Sequence, residues 1–367
     1  MKLPKNKKIL LRVDLNSDFE TGKIIESDRI KTHAKTIKQL IKNKNSVVVL
    51  AHQESKKKHT TLKSHAGLLN KYVKIKFVND IIGKKAVKEI KNLKPGKALL
   101  LENTRFLKDE FKPSASNKFV KTLRPFFDIY INDAFSVCHR NHTSIVSFPK
   151  VMKSMKGPVL EEELRNLNRI KHRLKSALFV LGGVKARDLI PLFGNKILSS
   201  GELGSLTLIE KGHNLGMENR RWSSDMNLKK AIKKHEKKIT VPIDFAVSLK
   251  GKRKEISLSD FPNNYVVCDI GKHTIEIYKK QIGKAKAVVF KGAPGKFEDR
   301  RFAMGTRELL IAIKKSRAFS VVAGGSGSDA INELKIGRKG FSYISLSGGA
   351  LVKYLAGEKL PGLIALK

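Results

Sequence analysis

Short runs of consecutive apolar residues recur along this chain, each followed by an amphipathic stretch. The runs include ILLRV at 9–13, SVVVLA at 46–51, ALLL at 98–101 and FDIYI at 127–131. A strand that is apolar at nearly every position must be buried on both faces. Sheets of such strands are parallel, with helices packed on either side. The intervening stretches fit that role: RIKTHAKTIKQLIK at 29–42 carries apolar residues at helical spacing. Further helices are predicted at 61–72, 86–93 and 118–123, and a further strand at 75–77. The second half repeats the scheme, with strands predicted near 177–181, 196–198, 239–242, 287–290, 319–322 and 342–345. Between the halves, GPVLEEELRNLNRIKHRL at 157–174 predicts a long helix. Proline and three glutamates near its start suit the positive end of a helix dipole. The expected architecture is therefore α/β: two doubly wound parallel-sheet domains, 1–156 and 157–347, joined by a long interdomain helix.

At 367 residues the chain exceeds what one core usually carries, and 41% hydrophobic content suffices for two. No apolar run approaches the ~20 residues of a membrane-spanning helix. The start, MKLPKNKKILLRVDLN, is too polar for a signal-peptide core. Two cysteines, Cys138 and Cys268, form neither a disulfide framework nor a zinc pattern. A cytoplasmic enzyme is expected. Lysine and arginine number 75 against 33 acidic residues, a net charge of +42. Such an excess attracts anions, phosphorylated metabolites included. The lysines are spread along the whole chain without interleaved aromatics, so specific nucleic-acid binding is not expected.

Ligand groups in open α/β sheets stand at the carboxyl ends of the strands. In the first half those ends carry Arg12, Asp14 and Asn16, then Arg29, His52, Glu102–Arg105, and finally YINDAFSVCHRNHTS at 130–144 with His139, Arg140 and His142. Several guanidinium groups converging on few oxygens suit a small phosphorylated carboxylate. The loop at 130–144 could equally be a solvated basic turn when taken alone. In the second half the strand ends carry glycines: Gly182-Gly183 with Lys185, Gly292 and Gly295, Gly324-Gly325-Ser326, and Gly348-Gly349. Each precedes a predicted helix, where backbone amides can approach a phosphate closely.

In order along nearly the whole chain, the motifs RVDLN, SDRI, AHQ, LENTRF, NDAFSVCHR, LGGVKARD, DIGKHTIE, KGAPGKFED, MGT, AGGSG and SLSGGA resemble those of the phosphoglycerate kinases, and most closely the archaeal members. The resemblance implies two Rossmann-like domains facing a cleft, with a last segment, 348–367, returning to the first domain. It implies reversible phosphoryl transfer between 1,3-bisphosphoglycerate and ADP, giving 3-phosphoglycerate and ATP with Mg2+, by a protein more often monomeric than oligomeric. Arg12, Asp14, Asn16, Arg29, His52, Arg105 and Arg140 resemble the phosphoglycerate-binding positions, Arg29 reaching the transferred group. Gly182, Gly183, Lys185, Gly292, Glu298, Gly324, Gly325, Ser326, Gly348 and Gly349 resemble the nucleotide side. There Lys185 follows the phosphates and Glu298 takes the ribose hydroxyls. Cys138 is expected to be a small buried residue rather than a nucleophile.

Three positions depart from the family pattern. Ser55, within Glu54-Ser55-Lys56, stands where an arginine is usual, and Lys56, Lys57 or Lys58 are the available substitutes. Lys291 replaces an asparagine, and Ser326 replaces an aspartate that meets the nucleotide's magnesium. No metal ligand is assigned; Asp188 is expected to organise Lys185, and Asp329 to point elsewhere. These departures motivate an alternative, a diverged member with reduced or altered activity. The net charge motivates another, a basic polyanion-binding protein on the same fold.

Overall fold

In the computed structural model of the chain, residues 2–20, 23–54, 60–222 and 225–366 are described. The chain forms two compact units, Met1–Arg165 with Glu358–Lys367, and Asn166–Gly357.

The first unit is built on six parallel strands: β1 (Lys8–Arg12), β2 (Ser46–Leu50), β3 (Lys76–Val78), β4 (Ala98–Leu101), β5 (Ile129–Asn132) and β6 (Ser154–Lys156). Their order is β3-β4-β2-β1-β5-β6. Side chains alternate across a strand, so Ile9 and Leu11 join Val47, Val49 and Ile131 on one face. Leu10 joins Val48, Leu50 and Tyr130 on the other. The first face is covered by α1 (Asp28–Lys42), which buries Ile30, Ala34, Ile37 and Leu40. Ile30, Ile37 and Leu40 contribute roughly 1.5–3 kcal/mol each when fully buried. The lysines take the opposite role: in α2 (Lys84–Lys91), Lys84, Lys85, Lys88 and Lys91 are exposed while Ala86 and Ile90 are buried. Strand β6 was not predicted, because Ser-Met-Lys carries no apolar run.

At the end of β5, Asp133 fastens three elements together. It accepts from the Val159 amide at 2.8 Å and meets His33 Nδ1, on α1, at 3.0 Å. A Cβ on Gly157 would lie 2.2 Å from Asp133 Oδ1, so only glycine lets the chain pass. From there α3 (Pro158–Lys171) carries the chain onward, and a 3-10 turn at Leu174–Ser176 ends the segment expected to stay helical. The boundary between the units falls inside this helix.

The second unit has its own six-stranded parallel sheet. Its strands are β7 (Ala177–Leu181), β8 (Lys196–Ser199), β9 (Ile239–Thr240), β13 (Ala287–Lys291), β14 (Phe319–Ala323) and β15 (Tyr343–Ser345). The order is β9-β8-β7-β13-β14-β15. A separate antiparallel sheet, which was not predicted, consists of β10 (Asp244–Leu249), β11 (Lys252–Ser257) and β12 (Val267–Ile270). Its edge strand reads KRKEIS, and charge on an edge blocks further pairing while hiding the strand from a hydrophobicity pattern.

One expectation about the glycine turns needs correction. Gly324 and Gly348 lead directly into the helices α4 (Gly325–Glu333) and α5 (Gly349–Leu355). Gly182-Gly183 leads instead into a 3-10 helix, Ala186–Leu192, with Pro191 inside it, and Gly292 leads into turns before another, Arg300–Phe302. Proline removes the amide that a continuing α-helix needs. Of the segment 348–367 expected to return, only Glu358–Lys367 packs on the first unit, where the Gly362 amide donates to Cys138 O at 2.9 Å, while residues 348–357 belong to the second unit. No helix among the described residues is long and apolar enough to cross a membrane.

Candidate active site

In both parallel sheets the strand order reverses beside the first strand, between β1 and β5 and between β7 and β13. Crevices at such reversals are where this architecture binds ligands. In the first unit the β1 end delivers Arg12, Asp14 and Asn16. Arg12 is enclosed: Nε donates to Ser144 Oγ at 2.9 Å, Nη1 to Val13 O, and Nη2 to His52 Nδ1 at 3.0 Å. Behind it, Glu110 accepts from Ser144 Oγ at 2.7 Å and from the Ser144 amide at 2.8 Å. Arg12 thus touches the site through His52, with Ser144 and Glu110 setting its orientation.

Asp14 receives Arg29 Nε at 3.1 Å and the Ser136 hydroxyl. Burial opposes its charge, yet Arg29 and that hydroxyl hold the carboxyl well below the usual range. Arg29 also donates to Asn16 O at 2.6 Å, while Asn16 Oδ1 accepts from the Glu54 amide at 2.8 Å. Arg105 and Arg140 complete the group, both donating to Glu54 Oε1, Arg105 from Nη2 at 2.9 Å. The guanidinium of Arg105 is further braced by the Phe111 ring, 4.9 Å away, and by His142 Nε2 at 3.4 Å. Asp14, Asn16, Arg29, Arg105 and Arg140 therefore form one connected set of contacts through Glu54, while Arg12 and His52 form a second set coupled to it electrostatically. Burial lowers the pKa of His52 well below its ordinary value, and Arg12 lowers it further. Burial and the two arginines bring His142 down to about 4. Burial pushes the Cys138 thiol up to about 12, which makes it an inert packing residue. Ser55 and Lys56–Lys58 lie outside the described residues.

In the second unit the loops after β7 and β13 meet backbone to backbone. The Gly183 amide donates to Ala293 O at 2.9 Å, and a Cβ on Gly292 would lie 2.1 Å from Gly182 O. Gly183 and Gly292 both have φ near +80°, at +81° and +79°. Lys185 is exposed, as is Asp188, and both act on half-buried Lys291. Burial lowers the Lys291 pKa, Asp188 pulls it back up, and Lys185 pushes it down again. A Cβ on Gly348 would lie 4.0 Å from Lys291 Nζ, and one on Gly324 would lie 3.8 Å from the Gly348 Cα. The turns bearing Gly182, Gly292, Gly324 and Gly348 are thus neighbours, with Gly325, Ser326 and Gly349 at the helix starts beside them. Glu298 is exposed on the turn after Gly295, and among the described residues no hydrogen bond joins it to the other turns. Buried Asp269 lies against that turn, where a Cβ on Gly295 would come 2.4 Å from its Oδ1, and it also receives the Gly305 amide at 2.8 Å and Arg253 Nη1 at 2.8 Å.

Four supporting residues were not anticipated: Glu110, Ser144, Glu54 and Asp269. Ser144 lies in the 130–144 loop, Asp269 opens the DIGKHTIE motif and Glu54 borders the Ser55 departure, whereas Glu110 carries no such signal.

The phosphoglycerate kinase family profile matches residues 3–358. The phosphoglycerate kinase of Methanothermus fervidus is 37% identical, over 98% of this chain and 94% of its own. That of Pyrococcus abyssi is 37% identical, over 99% and 95%. The crystal structure of phosphoglycerate kinase from Pyrococcus horikoshii OT3 superposes with a TM-score of 0.90 at 35% identity, covering 99% of this chain and 96% of that one. With an arginine-rich strand edge in one unit, a glycine-rich edge in the other, and these likenesses along nearly its full length, the chain belongs to the phosphoglycerate kinase family.

Proposed function

We propose that the protein transfers a phosphoryl group reversibly between 1,3-bisphosphoglycerate and ADP, giving 3-phosphoglycerate and ATP. The observation that carries this reading is the cluster of Arg29, Arg105 and Arg140 joined through Asn16 and Glu54, with His52 within their electrostatic reach, at the reversal of one sheet. Its counterpart is the set of close-packed glycine turns beside Lys185 at the reversal of the other. Phosphoryl transfer asks little covalent chemistry of a protein; it needs aligned oxygens and neutralised charge. Arg105, Arg140 and the Nε2–H of His52 would hold the phosphoglycerate. Arg29 and Lys185 would meet the charge that spreads over the equatorial oxygens of the moving group. The glycine turns would let amides approach the nucleotide phosphates, and Glu298 would accept from ribose hydroxyls.

Among the described residues, no group of three or more His, Cys, Asp or Glu side chains is arranged to hold a metal. Mg2+ therefore fits as part of the nucleotide complex, its coordination completed by phosphate oxygens and water. Exposed Asp188 is the acid that acts on Lys291. The reading extends to a monomeric enzyme acting in the cytoplasm on small molecules. A coupled assay with 3-phosphoglycerate and MgATP tests it. Turnover well above that of a Lys185→Ala variant is expected, and turnover no greater than that variant's would overturn the reading.

A further inference from the structure

Glu54 sits where a ligand's oxyanion belongs. Its Oε1 accepts from Arg105 Nη2 at 2.9 Å and also from Arg140 Nη1, bridging two guanidinium groups delivered by loops after β4 and β5. Arg105 and Arg140 are close enough that the charge of Arg140 adds to burial in lowering the Arg105 pKa. Two cations so placed repel each other unless an anion stands between them, and a single carboxylate oxygen meets that need. The backbone makes this placement specific, because the Glu54 amide is tied to Asn16 Oδ1 at 2.8 Å. The side chain itself is the most exposed of the three, at 46% against 11% for Arg105 and 28% for Arg140. Arg140 is also incompletely satisfied, since its Nε is buried with no hydrogen-bond partner among the described residues. The site thus consists of two paired cations, a spare buried donor, and a half-exposed anion belonging to the chain.

We propose that Glu54 is an internal substitute for the substrate's oxyanion. It neutralises Arg105 and Arg140 in the empty protein and is displaced when 3-phosphoglycerate binds. The inference rests on the arginine cluster being the phosphoglycerate side of the site. A dianionic phosphate offers three oxygens to the two forks where Glu54 offers one, so it can also engage Arg140 Nε. Displacement swings a half-exposed carboxylate into water, where a charge is well solvated. Glu54 therefore sets how tightly the substrate is held, and releases the arginines only to a ligand of higher charge.

Calorimetric titration of the wild type and Glu54→Gln with 3-phosphoglycerate, and separately with inorganic phosphate, tests this at fixed ionic strength. Glutamine keeps the length of the side chain and removes the competing charge. Glu54→Gln is expected to bind both anions about three- to tenfold more tightly, the scale of one or two exposed ion pairs. In the kinase assay its KM for 3-phosphoglycerate should fall by a similar factor while its KM for MgATP holds. Weaker binding of both anions would mean that Glu54 organises the arginines, and would overturn the proposal. If 3-phosphoglycerate binds both proteins equally, the proposal fails and the enzymatic reading stands. If neither protein binds 3-phosphoglycerate but Glu54→Gln gains affinity for phosphate, the proposal stands and that reading fails.

Discussion

Arg12 Nη2 lies 3.0 Å from His52 Nδ1, and this one contact decides the protonation of the imidazole. A guanidinium can only donate, so Nδ1 accepts and the ring hydrogen is carried on Nε2. That Nε2 is buried with no partner among the described residues. A buried, unpaired N–H is costly on its own and becomes favourable once a ligand oxygen reaches it. His52→Ala should therefore raise the KM for 3-phosphoglycerate roughly tenfold to a hundredfold, the scale of one hydrogen bond to a charged group. Nitrogen-15 correlation spectra should show His52 in the Nε2–H form from about pH 5.5 to 8, since its pKa lies well below the ordinary value. An imidazolium signal within that range would contradict the arrangement.

Arg29 has a different task from the arginines paired with Glu54. Its Nε is oriented by Asp14 at 3.1 Å and its Nη1 by Asn16 O at 2.6 Å, which aims the guanidinium without adding it to the core. Arg29→Ala should lower kcat by roughly 10²–10³-fold, as removal of one donor to a developing charge does elsewhere. Steady-state kinetics beside a thermal melt checks this. The melt should shift downward, because buried Asp14 loses the cation that holds it ionised, so the kcat loss is read at a temperature where the variant remains folded.

The apolar strands could be read from the sequence because a strand buried on both faces admits almost nothing but Val, Ile, Leu and Ala. The arginine-bearing strand ends could be read because charge directly after such a run has few other uses. The network behind them was hidden. Arg12, Ser144 and Glu110 come from three separate elements, and their partnership exists only once β1, β5 and the loop after β4 are side by side. Glu54 looked like a departure from a pattern rather than a partner, because its two arginines lie 51 and 86 residues further along the chain. The antiparallel sheet escaped for another reason: Lys252–Ser257 pairs through its backbone while its side chains are mostly charged.

Gly292 should be the least replaceable of the nucleotide-side glycines. A Cβ there would lie 2.1 Å from the carbonyl oxygen of Gly182, and the backbone adopts φ +79°. Gly292→Ala therefore combines a backbone collision with a conformation L-residues avoid, a loss of about 1–3 kcal/mol or more. Urea denaturation should show the loss, and MgADP affinity should fall with it as the paired turns are pushed apart. Gly194→Ala makes the matched control, since a Cβ there meets nothing within 4 Å.

Buried His65 ties stability to pH in a direction that can be worked out. It is inaccessible to solvent, its Nε2 lies 3.0 Å from Gln53 Oε1, and burial lowers its pKa from 6.5 to about 4. Between those values the unfolded chain takes up a proton that the folded protein refuses, so stability falls as pH falls. The contribution is fully present above the unfolded pKa and is about 2 kcal/mol smaller at pH ~5. Carboxyls with raised pKa values, such as Glu110, act in the opposite direction. The comparison must therefore isolate the histidine. His65→Gln retains a donor for Gln53 and cannot titrate, so its unfolding free energy should fall less steeply than the wild type's between about pH 6.5 and 5, by up to the slope of one proton. Parallel curves from urea denaturation across that range would show that His65 is protonated equally in both states, against the burial seen here.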